Sequence, residues 1–440
     1  MPLRGCNTAL QYGMPLAYRL LVLLMVLVGV GGYAYWAVNG GLVREGNWIG
    51  VDFHVYYQAG LALSRGEDIY GGAISPPYVY PPLLALLVVP LTFLPVTTAT
   101  IIWKVLQHVC LVTVGGLLVS MLPAGRRALT VGVLCLGLLT VAVQEEIQVG
   151  ESNSLVLLLV VGAIWLVARG GNYKLRITNY ELGAGLLLGL AVSIKVLPVL
   201  VVAFFLWRGP RRVGVVAVAS FVALQLVTLA VTPATLNYWL VEFPGLFGQA
   251  FPFPDNQSIN AFISRAVLPD DPNLPAMRIV KAEGARPILT WGLNLLVMAG
   301  ATFVLWRSRN VHEGKVVLFL QVGLVMLTTF LVSGSTWLHH LVGLAVPVVG
   351  LIGASESGYR PAAGRVLVGI GAAIGFGLLL RRPYDWLFSA SEIAPGNEGL
   401  ALVASTTALW VVVGLWLAVA WKLVRLRDVA GREDFLDAAS

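Results

Sequence analysis

Long apolar stretches recur along this chain, separated by short polar connectors in which lysine and arginine collect. A helix rising about 1.5 Å per residue needs roughly 20 apolar residues to cross a hydrocarbon core of about 30 Å. Several runs reach that length, and none shows the strict alternation of a barrel strand. In lipid the backbone must satisfy its own hydrogen bonds, so these runs predict helices. The predicted spans are about 17–38, 97–121, 128–143, 154–168, 182–194, 197–206, 212–232, 287–306, 315–333, 338–353, 364–380 and 400–422.

Two stretches break the simple pattern. "LLALLVVPLTFLP" at 83–95, bounded by Pro81, Pro82 and Pro95, makes only about 20 Å of helix. It is predicted to be interfacial or re-entrant. Conversely, 183–209 is long enough for one span, but Lys195 and Pro198 in its middle predict two half-helices meeting at a polar point. Charge tests both choices together. With the N-terminus cytoplasmic, inside loops hold Arg126 and Arg127, then Arg169, Lys174 and Arg176, then Arg208, Arg211 and Arg212. Later inside segments hold Arg307, Arg309 and Lys315, then Arg360 and Arg365, then the 423–440 tail with Arg425, Arg427 and Arg432. About twelve spans with both termini cytoplasmic keep this alternation intact.

Composition sharpens the class. The chain is 58% hydrophobic and 12% charged, with a mean hydropathy of +0.83. A soluble fold could not hide that much apolar surface, so the expectation is one all-α polytopic membrane domain over 1–440. The net charge of +7 fits topology better than nucleic-acid binding. Cys6, Cys110 and Cys135 form no spaced pair, which excludes a disulfide framework or metal knuckle. The first run ends in Tyr35 and Trp36 and is too long for a typical signal h-region, so it reads as a retained anchor. No P-loop, dinucleotide fingerprint, HExxH or zinc spacing is present.

This topology leaves 39–96, 144–153, the Lys195 break, 233–286, 334–337 and 381–399 outside, and these hold most of the unusual polar residues. Asp52, just beyond the first span, is either a general base or a solvated acid in the first turn of an amphipathic segment. Asp68, in "SRGEDIY", reads as a turn residue. Lys195 either faces a cavity or an anion, or snorkels to headgroups. His339 and His340 follow Trp337, an expected interfacial anchor. Adjacent side chains diverge on a helix, so the two imidazoles suit phosphate or sugar contacts, or a satisfied interfacial role, better than one metal. Asn256 and Gln257 suit sugar hydroxyls or a plain loop, and Arg265 an anion or a headgroup.

In order, "YYQAGLALSRGEDIY", "YVYPPLLALLVVPLTFLP", "VGESNSLVLLLVVGA", "GLLLGLAVSIKVLPVLVVAFFLWRG", "DNQSINAFISR" and "STWLHHLVGLAVP" resemble the glycosyltransferase 87 family of GT-C enzymes. The resemblance covers roughly 20–350 and implies a GT-C-type fold in a cell (plasma or inner) membrane, with its site toward the periplasm or exterior. It implies transfer of a sugar, mannose foremost and arabinofuranose as the alternative, from a polyprenyl-phosphate donor to a lipid or glycan acceptor. Asp52 would be the base of a single inverting displacement, needing neither metal nor cofactor. Lys195, His340 and Arg265 would stabilise the leaving phosphate. Tyr56, Tyr57 and Tyr80 would face the sugar, and Glu151, Asn153, Asn256, Gln257, Trp337 and His339 would complete the substrate contacts. The first outer loop, 39–96, would carry site and interfacial helices, and 233–286 would form a large second outer loop.

One departure stands out: "GESN" places Glu151 where the family pattern has an amide. The rival class is a lipid-linked glycan transporter or flippase, which broken helices and a membrane lysine also suit. No inverted repeat accompanies them, and the polar residues gather on one side. A non-catalytic assembly subunit and a lipid-linked glycan ligase are the remaining alternatives.

Overall fold

A computed structural model describes residues 16–42, 50–70, 72, 74–170, 179–267, 280–281, 284–310, 314–355 and 398–439. The expected span at 364–380, most of the 381–399 connector and the basic residues Lys174, Arg176, Arg360 and Arg365 lie outside the described residues. Among those described, the regular elements are helices apart from one two-residue antiparallel pair, Gln249–Ala250 with Val280–Lys281.

Among the described residues, six helices are long and apolar enough to cross a membrane: Leu16–Gly41, Val96–Ser120, Arg211–Val231, Arg286–Arg307, Lys315–Val332 and Thr407–Arg427. A seventh crossing arises if Ala124–Gly137 and Val141–Val149, bent by 57°, count as one span. Pro82–Phe93, Asn153–Arg169, Asn179–Ile194 and Leu338–Gly353 are shorter apolar helices. The lipid-facing character of the long helices is plain in their side chains: Leu20, Leu24, Ile101, Val112, Val215, Leu226, Leu295 and Leu296 are all exposed. Exposed leucines at such density are unstable in water and stable in hydrocarbon.

Labels follow chain order: α1 (Leu16–Trp36), α2 (Val51–Ser64), α3 (Pro82–Val88), α4 (Val96–Ser120), α5 (Ala124–Gly137), α6 (Val141–Val149), α7 (Asn153–Arg169), α8 (Asn179–Ile194), α9 (Val199–Trp207) and α10 (Arg211–Val231). Beyond a short turn region lie α11 (Ala234–Asn237), α12 (Phe243–Gly245), α13 (Ile259–Val267), α14 (Arg286–Arg307), α15 (Lys315–Val332) and α16 (Ala345–Gly353). A 3-10 segment, Leu338–Leu344, precedes α16, and the chain closes with Glu398–Ser405 and Thr407–Ala439. Helix α1 packs on α5, α8 lies along both α7 and α10, and α15 packs on α16 and the last helix. The core is buried where α7, α8, α9 and α15 meet, through Val160, Ile164, Leu188, Phe205, Phe319 and Leu327.

Three local outcomes position the site. The break at Lys195–Pro198 is present: α8 stops at Ile194 and α9 begins after Pro198, whose ring cannot continue the ladder. Helix α3 starts at Pro82 and passes through Pro90 into a 3-10 turn before Pro95 opens α4. It buries Leu83, Leu84, Ala85 and Val88, so this short helix is packed along much of its length.

The third outcome corrects an expectation. Residues 144–153, read as a loop, are largely helical, and the run at 128–143 is not one helix but the bent pair α5 and α6. The polar segment can be helical and buried because Glu146, fully buried, hands its carboxylate to the start of α7. It accepts from Ser154 N at 2.6 Å and from Asn153 Nδ2 at 3.0 Å. Gly150, at φ 73°, ends α6 in a left-handed turn that an L side chain resists.

Candidate functional site

Two glycines bring the first two carboxylates together. Gly50, at φ 69°, starts α2 and donates its N–H to Gln148 O at 3.2 Å. Gly150 sits against it: a Cβ there would come within 2.7 Å of the Phe53 Cβ. This close approach sets Asp52, in the first turn of α2, against Glu151, the residue after Gly150. Helix α4 secures the same turn from inside the bundle. Trp103 Nε1 donates to Gly150 O at 2.8 Å, and Gln107 Nε2 donates to Glu146 O and Glu151 O at 2.8 and 2.7 Å.

Glu151 is 1% exposed and lies at the centre of a dense network. Its Oε1 accepts from Tyr56 Oη, from Ser152 N at 2.7 Å and from Ser152 Oγ at 2.9 Å. Oε2 accepts from Tyr80 Oη at 2.8 Å. Lys195 Nζ lies 3.3 Å from Oε1, and His339 Nε2 lies 3.6 Å from Oε2. A buried carboxylate is tolerated only when so many donors replace water.

Lys195, 5% exposed, is where the helix break puts its charge to use. Its ammonium donates to Asn153 Oδ1 at 2.7 Å, meets His340 Nε2 at 3.1 Å and stands 5.2 Å over the Tyr80 ring. Asn153 thus links Lys195 to Glu146, a residue absent from the sequence-predicted set. Beside this cluster runs a largely apolar cleft. Asn153, Lys195 and His340 line its polar part, and Val156, Leu157 and Val160 of α7, Val201 of α9 and Met326 and Phe330 of α15 line the rest.

His339 and His340 were expected to diverge. Instead both are buried, with ring centroids 4.9 Å apart and planes at 79°. They sit in a 3-10 segment, and Glu151 and Lys195 arrive from two other elements to meet them both. Glu151, His339 and His340 each place a ligand atom within 4.8 Å of the others, a donor set that a divalent ion could use. The Lys195 ammonium is within 3.3 Å of two of these groups, so the trio already surrounds a cation.

Asp52 differs from Glu151 in every respect. It is half-buried, and among the described residues its carboxylate accepts no hydrogen bond and joins no ion pair. Burial pushes its pKa up to about 8; the nearby Glu151 charge adds to the rise and Lys195 opposes it. On the next turns, Tyr56 faces Glu151 while Tyr57 turns away, donating to Leu94 O at 2.9 Å. His54 is exposed, and Asp68 accepts from Tyr70 N at 2.9 Å in a turn.

The remaining predicted residues form a second polar layer. Asn256 Oδ1 accepts from Thr336 N at 2.8 Å, and its Nδ2 donates to Phe251 O at 3.0 Å. Gln257 Nε2 donates to Pro254 O and to Ser405 O, while its Oε1 accepts from Leu409 N at 2.9 Å. Arg265 Nη1 donates to Phe253 O and to Asn256 O at 3.0 Å. Trp337, read as an interfacial anchor, packs its ring 5.6 Å from Phe253, bridges Asn256 through backbone and leads into the histidine segment. These groups clasp 253–258 to 334–337 and to the last helices.

Of the twelve candidate substrate contacts and the one candidate base, the structure therefore gathers Asp52, Tyr56, Tyr80, Glu151, Asn153, Lys195, His339 and His340. It separates Tyr57 and places Asn256, Gln257, Arg265 and Trp337 in the clasp. Sequence reading missed Glu146, Trp103 and Gln107. The signal was present, since Trp103 and Gln107 lie one turn apart on α4 with Lys104 and His108 beside them. Polar residues inside an apolar span ask for partners.

A family profile, glycosyltransferase family 87, matches residues 78–334, which takes in Tyr80, Glu151, Lys195 and Arg265 and more than half of the chain. The chain is 26% identical over 373 residues to the polyprenol-phosphate-mannose-dependent alpha-(1-2)-phosphatidylinositol mannoside mannosyltransferase of Mycobacterium tuberculosis, covering 78% of this chain and 79% of that relative. It is also 26% identical to two enzymes named polyprenol-phosphate-mannose-dependent alpha-(1-2)-phosphatidylinositol pentamannoside mannosyltransferase. For that of M. tuberculosis the match covers 93% of this chain and 89% of the relative; for that of Mycolicibacterium smegmatis, 71% and 72%. Apolar helices around one buried ionic cluster and a family match across the elements that build it agree: this chain belongs to glycosyltransferase family 87, a membrane glycosyltransferase.

Proposed function

We propose that this enzyme moves a mannosyl unit from a polyprenyl-phosphate donor to a glycolipid or glycan acceptor at the outer face of the cell membrane, by one inverting displacement. The observation that carries the reading is the pairing of a buried ammonium with an apolar cleft, beside a carboxylate that has no hydrogen-bond or ion-pair partner among the described residues. The names of the relatives supply the donor class and the expected sugar.

In this reading the donor phosphate meets Lys195 and His340, and the first isoprene units follow the apolar walls of the cleft. The acceptor oxygen attacks the anomeric carbon. As that bond forms, the bond from the anomeric carbon to the phosphate oxygen breaks, and its electron pair leaves with the phosphate. Lys195 stabilises the negative charge growing there. Asp52 takes the proton released by the acceptor hydroxyl, and it alone of the two adjacent carboxylates has free lone pairs for that task. Glu151 is a poor base because its oxygens already accept from Tyr56, Tyr80 and Ser152. The scheme routes no step through a metal. Twelve spans with both termini cytoplasmic complete the reading, since that topology keeps Asp52, Glu151, Lys195 and His340 on one side.

The test combines purified protein, synthetic polyprenyl-phosphomannose and phosphatidylinositol mannoside acceptors, with Asp52→Asn beside the native chain. Transfer by the native chain with inverted anomeric configuration is expected, with a loss of at least about 1000-fold in the variant. Unimpaired turnover in Asp52→Asn would remove Asp52 as the base. Transfer from the arabinofuranosyl donor alone would reassign the sugar, and donor movement across vesicles without a new glycosidic bond would point to a transporter.

A further inference from the structure

Glu151 is a buried carboxylate paired with the ammonium that lines the cleft, and its neighbours say what its charge does. Lys195 has three N–H groups and three polar atoms within reach: Asn153 Oδ1 at 2.7 Å, His340 Nε2 at 3.1 Å and Glu151 Oε1 at 3.3 Å. The Glu151 contact is the longest of the three. An incoming phosphate oxygen can therefore displace it while Asn153 and His340 keep the ammonium aimed. The Tyr56 and Tyr80 hydroxyls and both donors of Ser152 hold the carboxylate in place when Lys195 turns to a ligand. Lys195 lines the cleft and Glu151 lies behind it, so Glu151 acts through Lys195.

The substrate and product of the proposed reaction differ in charge at the atom Lys195 meets. A lipid phosphosugar is a diester with one negative charge. The lipid phosphate left after transfer is a monoester, and its second ionisation lies near pH 6, so it carries close to two charges at neutral pH. An unpaired buried ammonium attracts a dianion about twice as strongly as a monoanion, and would hold the product more tightly than the donor. We propose that Glu151 sets the charge of the phosphate site. Paired with Lys195 it makes that end of the cleft neutral overall, so the site favours the singly charged diester and lets the doubly charged monoester leave. This inference rests on the reading of the cleft as the donor site. Glu151 is a positioning residue in this role, and Asp52, Tyr56, Tyr80, Glu146, Lys195, His339 and His340 are the other titratable groups around it.

The experiment is equilibrium binding of two probes to the purified full chain in detergent: a polyprenyl monophosphate and its methyl ester, which has one charge and no sugar to transfer. At pH 8 the native chain is expected to bind the methyl ester at least as tightly as the monophosphate. In Glu151→Gln the ratio of affinities should swing toward the monophosphate by roughly tenfold or more. A second arm needs no variant. Between pH 8 and 5.5 the monophosphate is the only one of the two probes to lose a charge, while Asp52 takes up its proton with either probe bound, so the affinity of the monophosphate relative to the methyl ester should rise. An unchanged ratio in Glu151→Gln, or a native chain that prefers the dianion tenfold at pH 8, overturns the role of Glu151. Failure of both probes to bind the native chain overturns the donor-site reading, and this inference with it.

Discussion

Two polar layers lie on either side of Trp337, and they use similar residue types to opposite ends. In the clasp, Asn256 and Gln257 direct their amides at backbone: Thr336 N, Phe251 O, Pro254 O, Ser405 O and Leu409 N. In the ionic cluster, Glu151, Asn153, Lys195 and His340 direct theirs at one another. A side chain committed to backbone ties two segments together and has little left for a ligand. A network of side chains can exchange a partner for a ligand, because each member can turn. Arg265 belongs partly to both kinds. Its Nη1 holds two carbonyls, while Nε and Nη2 are buried without a partner among the described residues. The lesson is that partner type, more than residue type, separates stitching from chemistry.

The sharpest way to break this comparison is to remove the charge of the cluster. Replacing Lys195 by methionine keeps most of the side-chain volume and leaves Glu151 with Tyr56, Tyr80, Ser152 and His339 but no ammonium. The loss of a preorganised group that stabilises a leaving charge costs about 100- to 1000-fold in kcat. Breaking a buried pair also destabilises the fold, by about 3–5 kcal/mol. Transfer assays normalised to folded protein separate the two effects. A variant that melts early yet turns over at the native rate per folded molecule would move Lys195 into the class of the clasp.

Acid should act on the cluster next. The Asp52 carboxyl is raised to about 8, chiefly by burial, and a general base works only when deprotonated. Turnover over kcat/KM should therefore fall about tenfold per pH unit below 8, and level off above it. The sign follows from the direction of the shift: an ordinary carboxylate would keep the rate flat down to about pH 4. A flat profile between pH 5 and 8 would argue that the proton goes elsewhere.

The clasp should respond in the opposite sense. Asn256→Ala strips two backbone N–H groups, of Thr336 and Ser258, and the Phe251 C=O of a side-chain partner, at about 1–3 kcal/mol for each buried group left unsatisfied. The melting temperature in detergent should drop while the rate per folded molecule stays within about threefold. A rate loss matching that of the lysine variant would show that the clasp touches substrate after all.

How far the sequence carried these distinctions depends on which force set each feature. Apolar length and charge alternation made the helices, the Lys195–Pro198 break and the short Pro-bounded helix α3 legible, because burial in lipid and the proline ring act locally. The burial of 144–149 as helix was not legible. It depends on Glu146 being capped by Ser154 N and Asn153, and on Gln107 and Trp103 reaching in from α4. Those partners lie up to 47 residues away, and no local pattern encodes them. Asp52 and Lys195 were singled out from their chemistry in an apolar setting. The nearness of Asp52 to Glu151 came from two left-handed glycines, Gly50 and Gly150, a hundred positions apart in sequence, and that of Lys195 from the break between α8 and α9.

The smallest effect expected tests the finest of these distinctions, between neighbours on one helix. Tyr56 and Tyr57 are adjacent and were equal candidates for sugar contacts. On α2 they point about 100° apart: Tyr56 into Glu151, and Tyr57 across to the carbonyls of Thr92 and Leu94. Removing the Tyr57 hydroxyl as phenylalanine deletes a side-chain to backbone bond worth about 1 kcal/mol and leaves the ring packed on α3's 3-10 extension. Donor KM and kcat should then stay within about twofold of native, whereas Tyr56→Phe frees a lone pair of the central carboxylate and should shift both. If Tyr57→Phe instead raises the donor KM tenfold with kcat unchanged, the ring and its hydroxyl face the donor in the bound state. Helix α2 would then have to turn on binding, and Asp52, carried one turn earlier on the same helix, would turn with it.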